Sequence, residues 1–130
     1  MGPAPLRQTV RAAERWAVAR FAIAQTPDFA LAPHRFELLG GAVRRRAVSP
    51  GSAEGRSPLE AVERANWPTA WAHSAVITVL CDSEAGTVEY EQEVVEILAM
   101  DGSDVLAEYA YVARIPGFPP CLGPFQSEPL

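Results

Sequence analysis

Between Ser74 and Ile115 apolar and polar residues alternate along three runs that turn-forming residues interrupt twice, and a two-residue period of that kind restricts the region to β-hairpins. The runs are Ser74 to Cys81, Thr87 to Met100 and Val105 to Ile115, separated by Asp82-Ser83-Glu84-Ala85-Gly86 and Asp101-Gly102-Ser103-Asp104. A two-residue turn at Gly102-Ser103 places residues whose numbers sum to 205 opposite each other, and a four-residue loop between Asp82 and Thr87 gives a sum of 169 for the first hairpin. One face then gathers Ala75, Ile77, Val79, Cys81, Val88, Tyr90, Val94, Leu98, Val105, Ala107, Tyr109, Tyr111, Ala113 and Ile115. The other gathers Thr78, Glu89, Glu91, Glu93, Glu108 and Arg114, with Glu91 opposite Arg114.

An apolar sheet face needs a cover. From Leu6 to Ala24 the apolar residues Leu6, Val10, Ala13, Ala17, Phe21 and Ala24 recur at steps of three and four, the spacing of an amphipathic helix, and Pro27 ends the run. This helix is expected to shield the face that carries the tyrosines. Phe36, Leu38 and Ala42 to Val48 read as extended; Gly40-Gly41 between them is either a hairpin turn or a bulge. Ser57-Pro58-Leu59-Glu60 has capping-box spacing with proline at the first helical position, which predicts a short second helix to about Asn66, stopped by Pro68. The fold class expected is therefore α+β: a long N-terminal helix packed on a twisted antiparallel sheet of four to five strands, with a second short helix. With 130 residues the chain is sized for one domain, read as 1–115, followed by a proline-rich extended arm over 116–130.

Charge narrows the class of partner. Residues 1–65 hold ten Arg against six acids, whereas residues 66–130 hold one Arg against ten acids, for a net charge of −5. The halves can neutralise each other within the fold or present an acidic face to a basic partner. An acidic chain is poorly suited to nucleic acid, whose binding draws on counterion release from phosphates. No stretch approaches the ~18 apolar residues of a membrane span, and neither a secretory leader nor a lipidation motif is legible, so a cytoplasmic location is expected. Cys81 and Cys121 lack the paired spacing of zinc or redox motifs and are read as free thiols, with a disulfide between them as the alternative.

Chemistry-bearing residues are few. Gln92 and Glu96 fall on the tyrosine face, with Glu96 opposite Tyr109 and one step from Tyr111. A carboxyl among phenols in a desolvated pocket is what general acid–base chemistry requires, because burial raises the Glu pKa toward working pH. The competing reading is that Glu96 and Gln92 lie where the sheet outruns its cover. Trp67, Trp71 and Phe118 are candidate anchors for a partner; the two tryptophans can equally plug the core. His34 and His73 have no ligand at metal spacing, so no metal and no cofactor is expected. Ser74 lacks the glycine pattern of a nucleophile elbow, and Gly40-Gly41 lacks the ending of a phosphate loop.

One long helix followed by an antiparallel meander resembles the cystatin-like superfold, which holds the cystatins and the nuclear transport factor two-like pocket proteins. The segment Ala13-Glu14-Arg15-Trp16-Ala17-Val18-Ala19-Arg20-Phe21 is similar to the cystatin helix. The cystatin side of the resemblance implies cysteine-protease inhibition through an N-terminal Gly, a Gln-x-Val-x-Gly loop and a Pro-Trp pair. Here Gly2 is present, the loop motif is not, and the pair occurs reversed as Trp67-Pro68. The pocket-protein side implies a small-molecule site of the isomerase or dehydratase kind. The leading expectation is a non-catalytic interaction or assembly domain with a protein partner or self-association; the alternative is a pocket protein using Glu96, Tyr109 and Tyr111; inhibition is third.

Overall fold

The computed structural model describes residues 4–49, 69–83, 85, 86 and 88–128. Helix α1 spans Pro5–Ala22, with proline at its start, where a missing N–H leaves no helical bond unmade. Leu6, Val10, Ala13, Ala17 and Phe21 are buried along one stripe, while Arg7, Arg11 and Arg15 face solvent. Arg20 in the last turn complements the negative end of the helix dipole. The fully buried Thr9 hydroxyl donates to the Leu6 carbonyl at 2.8 Å, so its polarity is met within the helix.

The sheet consists of β1 (His34–Leu39), β2 (Ala42–Ala47), β3 (Ala70–Asp82), β4 (Glu89–Asp101), β5 (Val105–Ala113), β6 (Cys121–Leu122) and β7 (Gln126–Ser127). Its order is β2-β1-β3-β4-β5-β6, with β7 also on β5, and every pairing is antiparallel. The expectation of four to five strands is thus corrected to seven described strands. The additions are two-residue pieces from the tail, where Pro119, Pro120 and Pro124 leave room only for brief ladders. The helix expected over Ser57 to Asn66 lies outside the described residues. Among the described residues, one helix on a curled antiparallel sheet makes an α+β fold compatible with the cystatin-like superfold.

Gly40-Gly41 is a two-residue hairpin turn between Leu39 and Ala42, with φ of +59° and +83°, a conformation open to glycine at little cost. The β4–β5 hairpin has the expected register, with Glu96 opposite Tyr109 and Gly102-Ser103 at the turn. The Asp101 carboxylate caps that turn by accepting from the Ser103 and Asp104 amides at 2.9 and 2.7 Å. The β3–β4 hairpin is shifted: Asp82 pairs with Glu89, and the Ser83 amide donates to the Val88 carbonyl at 2.7 Å. Its pairs therefore sum to 171, not 169. A two-unit change leaves each residue on its expected face, which is why the side-chain sets survive the error.

The assignment of the cover does not survive. Helix α1 packs on the opposite face of the sheet, where Leu6, Val10 and Ala13 meet Phe36, Ala72, Ile97 and Ala99, and Ala17 and Phe21 meet Leu31, Val95 and Val112. The reason lies in how far the acidic ladder reaches. Glu89 and Glu91 mark only the distal end of that face; nearer the helix its residues are Ala70, Ala72, Ser74, Val95, Ile97, Ala99 and Ala110, all buried. Four of these are alanines, and a face of small side chains lets a helix backbone approach closely. The tyrosine face is left without α1.

The segment after β5 runs back along that strand's free edge. Cys121 and Leu122 pair with Ala113 and Val112, the Gly123 amide donates to the Tyr111 carbonyl at 2.9 Å, Gln126 and Ser127 pair with Tyr109 and Glu108, and the Glu128 amide donates to the Ala107 carbonyl at 2.9 Å. Phe125, midway, packs against both halves of the helix-side core. At the other edge β2 presents Arg44, Arg45 and Arg46, charges that discourage pairing with a further strand. Arg45 lies over the Trp16 ring at 3.6 Å from its centroid, and Arg46 pairs with Glu37 at 2.9 Å.

Candidate functional site

On the face away from α1, the alternation of β3, β4 and β5 brings Ile77, Val79, Val94, Glu96, Tyr109 and Tyr111 around one cavity of about 140 Å³. Glu128, delivered by the tail opposite Ala107, completes its described lining. Glu96 takes its place because β4 and β5 are in register: it stands between Ala75 on β3 and Tyr109 on β5. Val94, one step along the same face, stands between Ile77 and Tyr111 and is almost fully buried. The Tyr109 and Tyr111 rings meet edge to face with centroids 5.4 Å apart.

The carboxyl of Glu96 is pushed up to about 7, first by burial among these apolar walls, then by the negative charge of Glu128, and then by the hydrogen bond that its protonated form donates to that neighbour. Glu96 therefore keeps its proton through mildly acidic pH and gives it up around neutrality, beside the Glu128 carboxyl. One Glu128 carboxyl oxygen, Oε2, is buried with no hydrogen-bond partner. The Tyr111 hydroxyl is raised above the usual phenol range, chiefly by its hydrogen bond to Tyr109.

Of the residues expected to act together, Glu96, Tyr109 and Tyr111 converge. Gln92 does not line the cavity; its amide donates to the Glu93 and Val112 carbonyls at 2.8 and 2.9 Å, closing the end of the β4–β5 ladder. Arg114 pairs with Glu93 at 2.8 Å rather than with Glu91, since the regular ladder ends before it. Trp71 is fully buried under the Arg35 guanidinium, 4.4 Å from its ring centroid, and so is a core residue and not an exposed anchor. Trp67 lies outside the described residues; Phe118 is 63% exposed. Cys81 and Cys121 are free thiols.

Two acidic residues escaped the sequence reading. Glu128 sits alone in a proline-rich tail with no periodic signal to place it. Glu108, grouped with the polar residues of the second face, lies beneath α1 and is also pushed up to about 7, by burial first and then by Glu14, with Arg7 opposing. The signal for Glu108 was its even position between Leu106 and Ala110, on the face that the helix covers.

No family model, curated protein or solved structure matches the chain. The site must therefore be read from its own chemistry. Among the described residues no cluster of three or more His, Cys, Asp or Glu has the geometry to hold a metal, and no helix is long and apolar enough to cross a membrane.

Proposed function

We propose that the chain is a small-molecule-binding pocket protein in which Glu96, buried beside Glu128, exchanges a proton with the bound ligand. The observation that carries this reading is the carboxyl pair inside an apolar cavity beside two phenols. A group titrating near neutral pH both gives and takes a proton at small driving force, the condition for general acid–base work of the isomerase or dehydratase kind. Tyr109, directly across the ladder, is the second group within reach of a ligand held at Glu96. An apolar cavity of ~150 Å³ holds a molecule the size of benzene, so the ligand is small.

A methyl- and amide-detected NMR screen of fragments with five to seven non-hydrogen atoms tests it. Occupancy shifts the signals of Ile77, Val79 and Val94, and Val94→Phe, which fills the space, abolishes those shifts. A screen in which no fragment moves these signals overturns the reading.

A partner-binding role is the second reading, favoured by Tyr90, Tyr111, Ile115 and Phe118, each at least 40% exposed. Sedimentation across a hundredfold concentration range tests self-association: a monomer throughout removes that form of it.

A further inference from the structure

The inference drawn here rests on the pocket reading and names the class of ligand. We propose that the cavity at Glu96 takes a small organic cation, an alkylammonium whose nitrogen sits between the Glu96 and Glu128 carboxylates and whose carbon skeleton lies against Ile77, Val79 and Val94.

Three features of the lining select this class. The first is unmet negative charge: two carboxyls share the cavity, and one oxygen of Glu128 is buried without a partner. No described lining residue is a cation, and the chain contains no lysine that could reach in. A positive group placed between the carboxylates satisfies both at once and takes the place of the proton on Glu96. The second is the pair of phenol rings. Tyr109 and Tyr111 offer π-faces and hydroxyl oxygens, which attract and accept from an ammonium. The third is the aliphatic wall, which suits a hydrocarbon skeleton, whereas calcium and magnesium are poorly served by a described lining with only two carboxyls and no group of three or more His, Cys, Asp or Glu. An anionic ligand meets like charge with no cation among the described lining residues to offset it, and a neutral one leaves Glu96 holding its proton.

Binding of the cation expels that proton, so affinity and proton release are linked. With Glu96 titrating at about 7, affinity is about tenfold higher at pH 8 than at pH 6. Three probes of one skeleton separate the possibilities: 3-methylbutylammonium, 3-methylbutan-1-ol and 3-methylbutanoate. Each is titrated into the full chain at both pH values, followed by NMR at Ile77, Val79 and Val94 and by calorimetry in two buffers of different ionisation enthalpy. The expected result is that the ammonium binds most tightly, gains about tenfold from pH 6 to pH 8, and releases close to one proton at pH 6. Glu96→Gln weakens the ammonium and erases its pH dependence, Glu128→Gln weakens the ammonium and lessens that dependence, and the alcohol is unaffected by either. Binding of the alcohol or the carboxylate in preference to the ammonium overturns the cation inference and leaves the pocket standing. Ammonium binding without proton release, or unchanged in both Gln variants, overturns it as well. If none of the three moves the cavity signals, the pocket reading falls with it.

Discussion

The two faces of the sheet are made of nearly the same kinds of residue and do opposite things. Against α1 lie Ala72, Ser74, Val95, Ile97, Ala99 and Ala110, all essentially without exposure, and the helix closes on them because the side chains are small. Across the sheet lie Ile77, Val79, Val94, Leu98, Tyr109 and Tyr111, larger and, apart from Val94, only partly covered, with a cavity and two carboxyls among them. Close packing excludes water and confers stability; loose packing of bulky residues leaves space, and space next to a desolvated carboxyl permits chemistry. The contrast teaches that apolar content does not tell which face of a sheet is core. Side-chain size and the placement of a few acids do.

The difference is open to direct attack. Ile97→Ala empties a fully buried site beneath the helix and is expected to cost about 2–5 kcal/mol in denaturant unfolding, whereas Ile77→Ala, on the half-covered face, is expected to cost about 1 kcal/mol or less. Comparable losses at the two positions would erase the distinction. Phe125→Ala removes the tail's plug on the helix side and is expected to cost about 2 kcal/mol, less than a fully buried phenylalanine. The same change should carry Glu96 back toward the ordinary carboxyl range, because it loosens the strap that holds Glu128 beside it; an unmoved Glu96 would show that the faces are not coupled through the tail.

Two carboxyls, Glu96 and Glu108, carry raised values, one on each face. Each binds a proton in the folded chain that the unfolded chain has already released, so their contribution to stability is largest below about pH 4.5 and is lost as pH rises to about 7. The thermal midpoint should accordingly fall between pH 5 and pH 8. Glu96→Gln should raise it by a few degrees at pH 8 and hardly at pH 4, where the native carboxyl is itself neutral; an equal effect at both pH values would contradict the raised pKa. The smallest expected effect is at Ser74, whose buried hydroxyl has no hydrogen-bond partner against α1. Ser74→Ala is expected to be neutral or stabilising by up to about 1 kcal/mol in the same unfolding experiment.

What could be read from the chain follows from the range of each interaction. The helix stripe from Leu6 to Phe21, the Gly102-Ser103 turn and the convergence of Glu96, Tyr109 and Tyr111 are set by spacing within one helix or one tight hairpin, and they were legible. The β3–β4 register was missed by one residue per strand because the turn begins after Ser83, whose hydroxyl and backbone both bond to Val88, and no residue type announces that. The side chosen by the helix was illegible for a different reason. From Val94 to Ala99 one face carries Val95, Ile97 and Ala99 and the other Val94, Glu96 and Leu98, so the one sign in the alternation is Glu96 itself, which also fits a place where the sheet outruns its cover. Glu128 was beyond reach altogether: it enters the site through a tail that pairs with β5 at a sequence distance, and only the fold brings it to Glu96.

The central claim is that the Glu96 carboxyl, buried beside Glu128 on the face away from α1, titrates near neutral pH. Carbon-detected NMR titration of the glutamate side-chain carboxyls, in the full chain and in Glu128→Gln, measures it. A Glu96 midpoint at about 7, falling when Glu128 loses its charge, is the predicted result; a midpoint near 4.5 in both proteins would contradict the account.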